Sequence, residues 1–201
     1  MKKALLVSGV LITALLFAAF RKEDKSPGLY KVDQARSGVT WKGDKAIGGG
    51  HNGTINIKEG SVNFNGSTIT SGTFTIDMST IKALDLEGAD KGKLEHHLMS
   101  PDFFDVAKYP LTTFKIKSVV KGTGDNALVN GTLTIKATTR PISFPVTMRV
   151  SDNRLDVTAK DIKVDRTKYG VQFASKTLKA TLSEKAIDDE FIIGFSLTLT
   201  K

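Results

Sequence analysis

Asp189-Glu190-Phe191-Ile192-Ile193-Gly194-Phe195-Ser196-Leu197-Thr198-Leu199 decides the fold. Asp189, Phe191, Ile193, Phe195, Leu197 and Leu199 recur at every second position, which a helix would scatter around its axis and a strand places on one face. The stretch is a long β-strand whose even more regular C-terminal half carries polar Ser196 and Thr198 on the opposite side.

The same period of two extends over most of the chain. Val39, Trp41 and Gly43 share a face, as do His51, Gly53, Ile55 and Ile57, then Val62 with Phe64, then Gly72, Phe74, Ile76 and Met78. Glu59-Gly60 reads as a turn and Asn65-Gly66 as a hairpin, since both of the latter residues tolerate positive φ. Further on come Phe114 with Ile116, then Val129, Gly131, Leu133 and Ile135, then Ile142, Phe144, Val146, Met148 and Val150. Pro145 on the other side of that last strand implies an edge, a bulge or a missing ladder bond. Leu155, Val157 and Ala159 are out of phase with Ile162 and Val164, which a bulge near Lys160-Asp161 would correct.

One segment breaks the pattern. Ser79 to Gly92 reads as a polar connection, and Lys93 to Pro110 follows it. Leu94, His97 and Leu98 lie three to four residues apart, the spacing of a helix face. Ser100-Pro101 resembles an N-cap with proline at the first helical position, so a second helical turn is expected to carry Phe103 and Phe104.

Eight or nine long alternating strands with one helical interruption near residues 91–107 predict an all-β, extended antiparallel barrel of about eight strands. Closure removes exposed edges, and a barrel of this size holds either packed side chains or one small ligand. Trp41, Phe64, Phe74, Phe114, Phe144, Phe191 and Phe195 form the inward aromatic set. The residues alone leave a filled core and a ligand cavity equally matched.

The chain of 201 residues has no cysteine, so disulfides and a cysteine-linked lipid anchor are excluded. Lys2 and Lys3 precede the uncharged run Ala4–Phe20, so residues 1–20 are read as a signal peptide, with an uncleaved hydrophobic anchor as the alternative. Residues 21–27 are a linker and 28–201 the folded domain, expected to be periplasmic or secreted. The formal net charge is +8, but the basic residues are scattered along alternating segments. With no recognition helix or stacking motif, nucleic acid is not an expected partner.

Gly28-Leu29-Tyr30-Lys31-Val32-Asp33, Val39-Thr40-Trp41, His51-Asn52-Gly53 and Gly72 to Met78 resemble the opening of the YceI-like lipid/polyisoprenoid-binding family. The segment Lys93 to Pro110 with Phe114 resembles its longest motif, and Val129 to Ile135, Asp165-Arg166-Thr167-Lys168-Tyr169-Gly170 and Asp188-Asp189-Glu190 continue it. The resemblance covers about residues 28–201. It implies a lipocalin-like barrel enclosing a long-chain isoprenoid or other amphiphilic lipid, bound, stored or transported without catalysis and without a cofactor.

On that reading the apolar cavity is lined by Trp41, Ile55, Phe64, Phe74, Ile76, Leu94, Leu98, Phe103, Phe104, Phe114, Leu133, Phe144, Phe191 and Phe195. His51, His97, Arg166 and Tyr169 are candidates for the headgroup, with His97 at the mouth and His96 in solvent. For Arg166 an ion pair to Asp165, Asp189 or Asp105 is an equal alternative. Adjacent His96 and His97 point about 100° apart on a helix, so no metal site is expected. The competing functions are an enzyme acting on a lipid or isoprenoid quinone through His51 or His97, and a filled barrel with an interaction surface. Membrane proximity and a homodimer stay open as partner readings.

Overall fold

The structure is a computed structural model that describes residues 26–151, 153–178 and 186–201. The apolar run 1–20 and most of the linker 21–27 lie outside the described residues. The elements are β1 (Gly28–Val32), β2 (Gly38–Lys45), β3 (Gly50–Phe64), β4 (Ile69–Ala83), α1 (Gly88–Met99), β5 (Leu111–Lys121), β6 (Asn126–Ile135), β7 (Thr138–Ser151), β8 (Arg154–Asp165) and β9 (Ile187–Thr200).

All pairings between these strands are antiparallel. The order β3-β2-β9-β8-β7-β6-β5-β4 closes through β3–β4. β1 pairs with the end of β3 that β2 leaves free, and also with β9. β1 and β2 therefore share one place in the wall, interrupted by a 3-10 turn at Gln34–Arg36 that Asp33 caps through its carboxylate. The result is the expected barrel of eight positions with, among the described residues, a single α-helix.

The register shifts at six points along the wall, and three of these bulges bear on which residues face inward. In β8 the register shifts between Ala159 and Ile162, with Asp161 at φ 55°, so Leu155, Val157, Ala159, Ile162 and Val164 are all buried. The bulge expected at Lys160-Asp161 is present. The expected turn at Glu59-Gly60 is absent: β3 runs straight through, shifting register against β4 between Ile57 and Glu59. Gly60 is needed there for space rather than for a turn, because a Cβ would come within 2.5 Å of the Phe74 ring. The expected polar connection from Ser79 is likewise strand as far as Ala83, since a third shift turns Ile81 and Ala83 inward.

Ser100 ends α1 rather than starting a second helix. Its N–H and its hydroxyl both donate to the His97 carbonyl, and its own carbonyl accepts from Phe103 and Asp105. The chain from Pro101 to Ala107 is a series of turns, with Asp105 at φ 50°.

β7 and β8 part company early. They pair only from Thr147–Thr158 to Ser151–Arg154. The Met148 N–H donates to Asp125 on the β6 side, so by alternation the odd-numbered backbone nitrogens of β7 face β8. Pro141 and Pro145 are among these and have no hydrogen to donate. The ladder bond that Pro145 was expected to lack is on this side. The 3-10 turn Arg166–Tyr169, which follows β8, packs back against β7 and β9, and Arg140 Nε donates to the Lys168 carbonyl at 3.3 Å.

Candidate ligand-binding cavity

The loops at one end of the barrel are long: the segment 84–110 with α1, and the connection from β8 to β9. Beneath them lies an apolar cavity of about 230 Å³. Trp41, Ile55, Phe74, Ile76, Phe114, Leu133, Phe144, Phe191 and Phe195 line it from the wall, and Leu98, Phe103 and Phe104 from the cap.

The aromatic rings brace one another around the wall. Centroid separations are 6.5 Å for Phe74–Phe114, 5.4 Å for Phe114–Phe144 and 5.9 Å for Phe144–Phe195, while Phe104 meets Phe191 edge-on at 6.4 Å. Glycine recesses let large rings lie close to the sheet. A Cβ at Gly131 would sit 2.5 Å from the Phe114 ring, and one at Gly53 would sit 2.8 Å from Trp41. Rings held against the wall do not fill the interior.

Two expected lining residues stand elsewhere. Phe64 is buried in the core, edge-on to Tyr30 at 5.9 Å, near the far end of β3. Leu94 packs against the cluster under the helix without reaching the cavity surface. Met78, Ile81, Ile162 and Val164 line the cavity and were not foreseen as site residues. For Ile81 the concealed signal is the bulge that reverses its phase.

The headgroup candidates are not brought together. His51 is in phase with Ile55 but lies at the strand start, where its Nδ1 is 2.8 Å from Asp85 Oδ2. Asp85 also accepts from the Asn52 N–H. Burial pushes this carboxyl up, but the Asn52 and His51 interactions outweigh it and hold it below its ordinary value. His97 lies edge-on to Phe103 at 4.9 Å and Phe173 at 4.7 Å, with Nε2 3.2 Å from Asp102 Oδ2. Neither histidine lines the cavity, and His96 is exposed. Tyr169 is buried in the main core but does not line the cavity either.

Arg166 does line the cavity, and its donors are used within the fold. Nε donates to Asp188 O at 2.9 Å, Nη1 to Val171 O and Phe173 O at 3.0 and 2.9 Å, and Nη2 to Ile187 O at 3.1 Å. Nη2 is also 3.8 Å from Asp189 Oδ1, so of the three acids considered Asp189 is the partner. Asp189 accepts from Ser175 and Thr177 hydroxyls at 2.6 and 2.5 Å. Burial raises the Asp189 carboxyl, but these hydroxyls and the Arg166 charge outweigh it and lower it below the ordinary value.

Glu95 is a second anchor that periodicity could not reveal. It is 8% exposed and lies on α1. Its carboxylate accepts from the Ala83 N–H at 3.0 Å and from Lys82 Nζ at 3.2 Å. α1 has no side-chain N-cap, so this docking onto β4, together with buried Leu98, holds the cap in place.

A closed antiparallel barrel with an apolar interior under a helical cap defines the class, a small β-barrel with an interior cavity. The chain belongs to the YceI-like domain family, whose model matches residues 30–199. A UPF0312 protein of Pseudomonas putida is 31% identical over 121 residues, 59% of this chain and 60% of that protein. A UPF0312 protein of Pseudomonas aeruginosa is 32% identical over 92 residues, 46% of each. The matched stretches thus span less than two thirds of these relatives. Among solved structures, Burkholderia cenocepacia BcnA superposes with a TM-score of 0.68 at 21% identity, over 83% of this chain and 98% of that one. A polyisoprenoid binding domain from Saccharophagus degradans gives 0.64 at 17% identity, over 85% and 97%.

Proposed function

We propose that this protein binds a long-chain isoprenoid or other amphiphilic lipid inside the barrel, as a carrier or store and not as a catalyst. The observation that carries the reading is the apolar cavity of about 230 Å³ inside the barrel. An engineered apolar cavity of roughly 150 Å³ already binds benzene, and native cores leave few voids larger than a water molecule. Moving a methylene from water into such a space gains about 0.8 kcal/mol. A chain of several such groups needs no charged contact to stay bound. The binding activity attributed to the Saccharophagus degradans domain supports the same reading, as does membership of the YceI-like family.

Mass spectrometry of an organic extract of the purified protein tests this, followed by binding of isoprenoids to the delipidated protein. Recovery of a long-chain lipid is expected. Reproducible absence of lipid, with no binding of added isoprenoid, would overturn the proposal. Replacing Phe103 and Phe104 by alanine opens the cap and is expected to speed lipid loss. Unchanged retention would exclude the cap from the site.

The reading includes export of the chain, resting on Lys2-Lys3 and the apolar run to Phe20. N-terminal sequencing of protein recovered from cell-envelope fractions distinguishes a cleaved signal from an anchor. Recovery from the cytoplasm alone would remove this part of the proposal.

A further inference from the structure

We infer that the capped end of the barrel docks onto a lipid bilayer through Ile47, Leu84 and Leu178, and that the cargo passes between membrane and cavity there. This rests on the lipid-binding reading and names the partner with which the cargo is exchanged.

Two observations lead there. The first is a difference between the two ends of the barrel. The far-end connections 65–68, 122–125 and 152–153 read Asn-Gly-Ser-Thr, Gly-Thr-Gly-Asp and Asp-Asn, with no large apolar side chain. At the capped end Ile47 stands on the β2–β3 connection, Leu84 between β4 and α1, and Leu178 on the β8–β9 connection, each more than half exposed. Phe173 adds an exposed ring on that last connection. Leu29, Leu111, Val120 and Leu128 are exposed too, but they belong to strands. Backbone bonds gather the capped-end connections. The Ala46 N–H donates to Ala186 O at 2.8 Å, the Lys176 N–H to Ile187 O at 3.3 Å beside the Lys45–Ile187 pair, and the Leu84 N–H to Asn52 O at 2.9 Å on neighbouring β3. Single exposed leucines are ordinary, whereas a set gathered on one surface marks an interaction site.

The second observation is what accompanies these tips. Lys45, Lys82 and Lys176 each stand two residues before one of them, and all three are exposed. Such a side chain lays its hydrocarbon stem along apolar surface and keeps its ammonium in water, as at a membrane interface. Carboxylates of the fold engage two of them, Lys82 with Glu95 and Lys176 with Asp188. Attraction to anionic lipid is therefore secondary, and apolar insertion carries the docking. The connections have room to enter: a Cβ at Gly48, Gly49 or Gly88 would meet no atom within 4 Å. A protein interface centres instead on packed Trp, Tyr or Arg anchors, and the three tips supply none. Leu98, Phe103 and Phe104, which line the cavity, come from the same end. A hydrocarbon chain leaving a bilayer there is spared passage through water.

The chain has no cysteine, so one introduced thiol carries one nitroxide. Ile47→Cys and Leu84→Cys at the capped end, and Ser67→Cys and Thr123→Cys at the far end, are labelled in the full chain and mixed with phosphatidylcholine vesicles. The capped-end labels are expected below the phosphate level, also in about 1 M salt, which screens charge; the far-end labels are expected in water. Combining Ile47→Ser with Leu84→Ser should slow transfer of a fluorescent isoprenoid from vesicles to protein by about tenfold and leave its uptake from dilute detergent unchanged.

Capped-end labels as wet as those of the far end, equal immersion of both ends, or release by salt would overturn the docking. An unchanged transfer rate in the double variant would overturn the exchange route, while uptake from detergent would still support the cavity as a lipid site. Uptake from neither vesicles nor detergent would overturn the lipid-binding reading and this inference with it.

Discussion

The two sides of the barrel close by different means. Between β3 and β4, backbone pairing runs from the Phe64–Ile69 end to Gly53–Ala83, interrupted only by bulges. Between β7 and β8, pairing stops after five residue pairs, and the turn Arg166–Tyr169 takes over. On the first side the wall is a ladder; on the second it is partly a set of buried side chains. Charge and aromatic bulk around Arg166 therefore serve to close the barrel, and the cavity lining is left mostly apolar. The headgroup reading of Arg166 and Tyr169 picked out residues that are buried, and for Arg166 it is the ion-pair alternative, to Asp189, whose partner the fold supplies.

The largest effect that would break this contrast is expected from Arg166→Met. It leaves four carbonyls and Asp189 without their donor, and removal of one partner of a buried pair costs about 3–5 kcal/mol. Chemical denaturation should show the loss, together with rapid hydrogen exchange in the Val171–Ser175 segment. A loss below about 1 kcal/mol would mean that the cluster does not hold the β7–β8 side together.

Tyr169→Ala comes next, at about 3 kcal/mol for a buried aromatic truncated in a core. It should also hasten exchange of bound lipid, which a fluorescent isoprenoid reports. Truncating Phe64, equally buried but on the laddered side, should destabilise comparably and leave lipid exchange unchanged. Matching effects of the two variants on lipid exchange would erase the distinction.

Acid should also act on the Arg166 side. The Asp189 carboxyl is lowered in the fold from its ordinary value of 3.8. Its contribution is therefore fully present above that value and lost as pH falls through the lower, folded value. Asp189→Asn should be less stable at neutral pH, with a smaller further decline below about pH 4 than the native protein. An unaltered acid limb would assign acid sensitivity to other carboxylates, such as Glu95 and Asp85.

The smallest change is expected from Pro145→Thr, which restores a donor facing β8. The turn Arg166–Tyr169 keeps the strands apart, so the new amide should exchange freely and stability should shift by less than about 1 kcal/mol. Protection of that amide would mean that proline alone parts the ladder.

Much of this was legible in the primary structure. Alternation in Asp189–Leu199 and its counterparts determined that the chain makes strands with one buried face, because a period of two admits no other regular solution. It located most of the inward aromatics, and the conflict between Ala159 and Ile162 exposed one bulge directly. The two between β3 and β4 that displaced the expected turn and connection were hidden. Glu59-Gly60 has the composition of a turn, and Ile81 follows polar residues, so local chemistry pointed to a break where long-range pairing kept the strand intact.

The helical cap shows the same limit. Ser100-Pro101 carries the local signature of a helix start, yet the preceding helix uses Ser100 to finish. Spacing placed Leu98 and Phe103 near the interior, but the roles of Glu95 and Asp85 depended on backbone donors brought from β4 and β3. The sequence by itself determined strands, their facing residues and the family of the barrel, since these follow from local period and motif spacing. Only the tertiary structure decided that Arg166 is saturated and that His51 and His97 stand off the cavity. Hydrogen-bond partnership is settled by groups distant in the chain, and no local pattern records it.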